Sequence, residues 1–259
     1  MTAIDPRSDT HFAQCANSVD ELRRALGAVG WTVEWVAGVD GPTEKRYEGP
    51  DVVTIPTRQM GISPTRNDAL GFARSEWVYS LDHDDMMCPE GVLELLADPR
   101  LTDVGWVLGD VHLLEGSYGP RPYFNPGPVP RRTLLYDKAH PGRWNGNTLL
   151  VRTELLLRAG GWGGMRIDED GALLLELSWL SDGLIVPYQL VHRRWWDGQA
   201  SRSFHEADYL LTGQFERRVW EARCRAEGAE APPRRDTTLA MGDREYAMTA
   251  WPVRGMTAP

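Results

Sequence analysis

Apolar positions change their period repeatedly along this chain. Phe12, Cys15, Val19, Leu22, Leu26 and Val29 fall at helical spacing and stop near Gly27 and Gly30, which predicts a helix over about 12–29. Trp31 to Val39 reads as a strand closed by the turn signal Asp40-Gly41-Pro42, and Asp51 to Ile55 reads as a second strand. Ser63-Pro64 has the form of an N-cap followed by proline at the first helical position, opening a helix to about Ser75. A strand at 77–81, a helix at 89–97 and a long strand or strand pair from Val104 to Leu114, with Asp110 inside it, follow. Glu115 to Arg143 is rich in Gly, Pro, Tyr and Arg and reads as a long irregular segment, of the kind used as a functional lid or left disordered. Regular patterning then returns with a strand at Asn147–Val151, a helix at Glu154–Ala159 ended by Gly160-Gly161, a leucine-rich helix at 170–180 and a strand at Leu184–Val191. The amphipathic stretch 206–226 predicts a terminal helix, and beyond Gly228 the Pro/Arg/Asp-rich tail has weak patterning.

Strands alternating with helices predict an α/β fold, a mostly parallel sheet covered on both faces. In such sheets ligands bind beyond the carboxyl ends of the strands. Asp40 and the run Asp82-His83-Asp84-Asp85 both sit at such ends. The run places three carboxylates within four residues, directly after the apolar stretch Trp77 to Leu81. Carboxylates packed that closely repel one another and lose hydration. A hard divalent cation bridging to a diphosphate would remove both costs. The plainer alternative is an acidic turn capping the helix that begins at Pro89.

Composition narrows the partners. At 42% hydrophobic and 25% charged residues the chain has an ordinary globular make-up. A net charge of −9 argues against a nucleic-acid backbone as partner, since that needs a basic surface. The sequence has no apolar run long enough for a membrane span, and its polar start is unlike a signal peptide. Cys15, Cys88 and Cys224 show neither zinc spacing nor a disulfide framework, and together these features predict a cytoplasmic protein with reduced thiols. Eleven tryptophans are many for 259 residues, and they suggest either an aromatic-lined cleft or a tryptophan-rich core.

Three segments resemble the inverting family 2 glycosyltransferases of GT-A fold. Gly61 to Leu70, containing Arg66-Asn67, followed by Glu76 to Asp85 and Pro89, is similar to the family's glycine, Ala-Arg-Asn helix, strand and Asp-x-Asp-Asp run. Trp35 to Gly41 is similar to its strand ending in Asp-Gly. Gly160-Gly161-Trp162 with Asp168-Glu169-Asp170 and Leu173 is similar to its Gly-Gly-Phe and Glu-Asp pair. The resemblance covers about residues 2–203. It implies a glycosyltransferase domain over 1–203, with a nucleotide-sugar half (1–112), an acceptor half (113–203) and a C-terminal helix and tail (204–259).

Carried over by position, the resemblance implies that Asp40 holds the pyrimidine edge of the nucleotide and Arg66 the ribose or diphosphate. Asp82, with His83 beside it, would contact the ribose side, Asp84 would ligate Mn²⁺ or Mg²⁺, and Asp85 would be structural. Thr2 and Ala3 would line the base pocket, and His192 would lie near the metal or diphosphate. Asp168, Glu169 and Asp170 are alike by spacing, and the family pattern selects Asp170 as general base. Trp195, Trp196 and Arg194 either line the acceptor side or pack the terminal helix. The chain departs from the pattern in a stub of a first strand, Met1 to Ile4, and in Glu176, where many relatives carry arginine and acceptor or phosphate contacts would change.

The expected activity is metal-dependent, inverting transfer of a sugar from a nucleoside diphosphate, expected to be UDP, to a small-molecule or glycan hydroxyl. Two rivals remain at this point: a metal-dependent nucleotidyltransferase, whose Gly-rich phosphate loop is missing, and a catalytically degenerate nucleotide-sugar-binding protein. The sequence leaves homo-oligomerisation open.

Overall fold

The computed structural model describes residues 1–7, 10–42, 52–57, 61–114, 126–133, 146–165, 168–194, 196, 199 and 218–228. Strands β1 (Thr2–Ile4), β2 (Trp35–Val39) and β3 (Val52–Pro56) form a parallel sheet in that order. A second sheet is built from β4 (Trp77–Tyr79), β5 (Met86–Met87), β6 (Trp106–Leu113), β7 (Gly127–Val129), β8 (Leu149–Arg152) and β9 (Gly183–Arg193). Its order is β4-β8-β6-β9-β5, with β7 also on β9.

Met1 joins the two sheets. Its nitrogen donates to the Tyr79 carbonyl at 2.9 Å and its carbonyl accepts from the Leu81 N–H at 2.9 Å, the pattern of a parallel ladder. The three-residue first strand therefore lies centrally, between β2 and β4, with Ile4 fully buried. The parallel half ends there. β8 runs antiparallel to both β4 and β6, and β5 and β7 run antiparallel to β9, while β6 and β9 are parallel. No helical pattern separates β6 from β8 in the sequence, and only parallel neighbours need a crossover connection. β7 falls in the stretch expected to be irregular; residues 115–125 and 134–145 of that stretch lie outside the described residues.

Helices cover both faces. On one, α1 (Phe12–Gly27) and α3 (Pro89–Leu96) bring Val19, Leu22, Leu26, Val92 and Leu95 against Val107, Val111, Leu184 and Leu190. On the other, α4 (Thr153–Arg158) and α5 (Glu169–Leu180) bring Leu155, Leu156, Leu173, Leu174 and Leu177 against Trp106, Leu108 and Ile185. Trp106 and Leu108 facing one layer with Val107 facing the other is the two-residue alternation of a strand. α2 (Ile62–Leu70) packs on β1 and β2. It begins one residue before Ser63, with Gly61 at φ 95° as its cap, and ends at Leu70 rather than Ser75. The Glu34 carboxylate accepts from the backbone N–H groups of Arg74 and Ser75, an alternative to further helical turns.

α3 lies very close to β9. A Cβ at Gly91 would stand 1.7 Å from the Gln189 carbonyl oxygen. Gly91→Ala is expected to push the helix off the strand and destabilise the protein by about 1–3 kcal/mol, the usual cost of overpacking. A denaturant midpoint equal to that of the parent would overturn this.

The C-terminal helical residues 218–226 cover α5 through Trp220 and Cys224, which pack on Leu175 and Trp179. Residues 206–217 of the predicted terminal helix lie outside the described residues. Glu176 forms an ion pair with Arg223 of that segment, so its side chain secures the helix instead of facing an acceptor. Trp35, Trp106, Trp162, Trp179 and Trp220 are buried, so core packing accounts for part of the tryptophan content. The three cysteines are free and buried. Among the described residues no helix is long and apolar enough to cross a membrane.

Candidate active site

Because β1, β2 and β4 run in parallel, their carboxyl ends open on one edge. Asp40 follows β2 directly, and its carboxylate accepts from the Gly61 N–H at 3.2 and 3.3 Å. That bond ties the start of α2 to the end of β2. Asp5, at the end of β1, binds the Arg7 guanidinium at 2.8 Å. This bond, ahead of burial, which opposes it, holds the Asp5 carboxyl below its ordinary range, and nearby His83 adds to the lowering. Arg7, in turn, feels the charge of Asp40. It had no motif to announce it in the sequence.

The acidic run lies between β4 and β5. One oxygen from each of Asp82, Asp84 and Asp85 comes within 4.8 Å of the other two, and His192 is outside this group. Instead His192 sits beside His112 across the β6–β9 pair, with Nδ1 atoms 3.3 Å apart. Burial, then the neighbouring His112, lowers its pKa. His192 lies within β9 and not after the strand, and the β6–β9 register sets it beside His112.

The last residues of the strand's continuation brace the acidic run. The Arg194 N–H donates to Asp85 Oδ1 at 2.7 Å and its Nε to the Asp84 carbonyl at 3.1 Å. The Trp196 indole donates to Asp84 Oδ2 at 2.8 Å. The Arg194 side chain thus holds the backbone of the run and the Trp196 indole holds a carboxylate; Trp195 lies outside the described residues. Asn147, in the turn before β8, donates to Asp82 Oδ2 at 2.9 Å and to Asp85 Oδ2. Burial, then the charges of Asp84 and Asp82, pushes the Asp85 carboxyl well up. Three carboxylate oxygens in one place, with unfavourable charge between them, fit a hard divalent cation such as Mg²⁺ or Mn²⁺.

Arg66 links this run to α5. Its guanidinium, 2% exposed, donates to Asp82 at 2.8 Å, to Asp170 at 2.9 Å and to Glu169 at 3.1 Å. It is thus committed to three carboxylates, where sequence reasoning had assigned it to the nucleotide. Burial alone would lower the Arg66 pKa, but Asp170, Asp82 and Glu169 together raise it. One cation does not balance three carboxylates, of which Glu169 is buried and Asp170 half-buried. Burial and the Asp170 charge push Glu169 up to about 8, with Arg66 opposing, and burial likewise raises Asp170. Burial and mutual repulsion thus both favour the protonated carboxyl in this pair.

Asp170 is caged from three sides. Arg66 and the Trp162 indole both donate to its Oδ1, at 2.9 and 2.8 Å. Its Oδ2 lies against Gly146, where a Cβ would come within 2.0 Å. Thr2 and Ala3 are buried in β1. The Thr2 hydroxyl accepts from the Trp35 indole at 2.9 Å, so it is engaged in the core and is not presented to a pocket. Asn67, Asn147 and Trp162 had no role assigned from the sequence; Asn67 and Trp162 stood inside the motifs quoted there, and Asn147 carried no sign beyond opening a strand.

No protein-family model matches the chain, and no curated protein matches it. Solved structures do. Residues 1–349 of TarS from S. aureus align at 16% identity and a TM-score of 0.61, over 85% of this chain and 65% of that one. The same fragment in complex with UDP-GlcNAc aligns at 18% identity and a TM-score of 0.61, over 85% and 66% of the two chains. The fragment in complex with UDP aligns at 14% identity with the same TM-score, over 85% and 65%. This chain spans just under two thirds of the length of those fragments and 39% of the TarS chain in a further crystal structure. With a parallel sheet joined to a mixed one, helices on both faces and this structural likeness, the chain has a GT-A-like glycosyltransferase fold.

Proposed function

We propose that this protein is a metal-dependent inverting glycosyltransferase that moves a sugar from a nucleoside diphosphate, expected to be UDP, to the hydroxyl of a small molecule or glycan. One observation carries the reading: the acidic run at the end of β4 and Asp170 at the start of α5 meet on a single buried guanidinium, Arg66. A site for a charged leaving group and a carboxylate able to take a proton are thereby held in one frame. The uridine expectation is supported by the fold's likeness to a protein solved with UDP-GlcNAc and with UDP.

Each residue has a task in this reading. Asp40, anchored by the Gly61 N–H, meets the edge of the base. Asp82, Asp84 and Asp85 would hold Mn²⁺ or Mg²⁺, with Asp84 as the main ligand. Such an ion, when bound, supplies charge neutralisation to the diphosphate, which then leaves without protonation. Asp170 takes the acceptor proton while the hydroxyl attacks the anomeric carbon from the face opposite the diphosphate. Direct displacement inverts that carbon, and no second carboxylate nucleophile is required.

The test is release of free UDP from UDP-sugars, with Mn²⁺ and with chelator, over a panel of acceptors. Asp84→Ala is expected to abolish the metal-dependent part of donor binding. An unaltered Mn²⁺-dependent titration of that variant would remove Asp84 from the ligand set. Pyrophosphate release from a nucleoside triphosphate would favour nucleotidyl transfer, and donor binding without turnover would favour a binding protein.

A further inference from the structure

We propose that Trp162 is a positioning residue for Asp170: its indole N–H holds Oδ1 and so fixes the orientation of the carboxylate that takes the acceptor proton. This rests on the reading of Asp170 as general base and extends it to a residue that the Gly-Gly-Trp turn had marked only as a fold feature.

The geometry is built from three sides. The Trp162 Nε1–H donates to Asp170 Oδ1 at 2.8 Å, and the ring is 2% exposed. Asn67, the residue after Arg66, holds the backbone of Trp162 in both directions: its Nδ2 donates to the Trp162 carbonyl at 2.8 Å, and its Oδ1 accepts from the Trp162 N–H at 2.8 Å. The turn that delivers the ring needs glycine, because Gly160 and Gly161 have φ of 83° and 71° and a Cβ at Gly161 would stand 2.2 Å from Asn67 Oδ1. The Arg66 guanidinium lies 5.5 Å from the ring centroid and donates to the same Oδ1. Both donors thus fall on one oxygen, and the carboxylate plane is set by two fixed points. A phenylalanine at 162 would keep the ring and the turn but lose the N–H.

The charged groups facing Asp170 are Arg66 from α2, Asp82 from the loop after β4, and Glu169 and Asp168 from its own helix start. A hydrogen bond to a carboxylate favours the ionised form, so removing the indole N–H moves the titration of Asp170 upward. The acid limb of the kcat–pH profile moves with it. The loss of one hydrogen bond to a charged group predicts a fall in kcat of roughly tenfold to a hundredfold, with donor KM little changed.

The experiment compares wild type and Trp162→Phe by two measurements. The first is the pH titration of ¹³C-carboxyl-labelled aspartate by NMR without substrate, with Asp170→Asn identifying the resonance. The second is the kcat–pH profile. An upward-shifted Asp170 resonance together with a lowered kcat and an upward-shifted acid limb is expected. A folded Trp162→Phe protein whose Asp170 titration is unchanged overturns the proposal, whatever its kcat. Absence of turnover in wild type would overturn the glycosyltransferase reading instead, while the NMR arm would still decide whether the indole fixes Asp170. Should Trp162→Phe fail to fold, Asn67→Ala releases the backbone clamp with Trp162 in place; the same shifts, smaller, are expected, and their absence counts against the proposal.

Discussion

Replacing Arg66 with methionine is expected to destabilise the protein by about 3–5 kcal/mol, the cost of leaving buried charge without its partner. The side chain is 2% exposed and binds Asp82, Glu169 and Asp170 at once. Methionine preserves much of the volume, so the loss is electrostatic and not a cavity. The effect depends on pH in a definite direction. Glu169 and Asp170 already titrate above their ordinary values in the folded chain, Glu169 at about 8 against an unperturbed 4.5. A carboxyl whose pKa is raised on folding binds more protons folded than unfolded. Its stabilisation is complete below the unfolded value and is lost as pH rises through the folded one. For the parent the window is therefore about pH 4.5 to 8. Without Arg66 the carboxyls rise further, so the variant goes on losing stability above the parent's folded values, and for Glu169 its deficit grows above about pH 8. Urea melts of both proteins at pH 7 and pH 9.5 test this, and equal deficits at the two values would overturn it.

Asp170→Asn is expected to lower turnover by roughly 10²–10⁴, the usual worth of a general base, while donor binding persists. The same change should not weaken the fold at pH 8. Asp170 shares one guanidinium with two other carboxylates, and asparagine removes a charge whose burial is unfavourable. Loss of activity with stability retained or raised separates this role from a structural one. Glu169→Gln is the matched control, because Glu169 faces the same guanidinium at 3.1 Å and does not bind Trp162. Unchanged turnover in Asp170→Asn, or a larger loss in Glu169→Gln, would move the base away from Asp170.

The outline of the fold was legible because burial writes its period into the chain. The leucines of 173–177 and the alternation around Trp106 and Leu108 predicted their elements to within a few residues. Short pieces escaped: β5 is two residues and β7 three, too few for any period to show. The stub Met1 to Ile4 looked like a defect in isolation. In the fold β2 pairs along one side of it and Met1 bonds β4 on the other, so these residues occupy a central position.

In the site the same division holds. Local chemistry alone drew attention to Asp40, to the Asp82–Asp85 run and to the Asp168–Asp170 turn, since carboxylates crowded at strand and helix ends are costly unless something needs them there. Resemblance chose Asp170 within its turn, and spacing did not. What no local pattern carried was pairing across long separations: Arg66 with Glu169 and Asp170, 103 and 104 residues away, Asp84 with Trp196, 112 away, and His192 with His112, 80 away. Those contacts depend on which strands adjoin and in what register, and register follows from the packing of the whole sheet. The chain's own pattern thus specified an α/β domain with acidic strand ends. Folding in three dimensions assigned Arg66 to the carboxylates, Thr2 to the core and Trp162 to Asp170, because each of these depends on a partner that only the assembled sheet brings near.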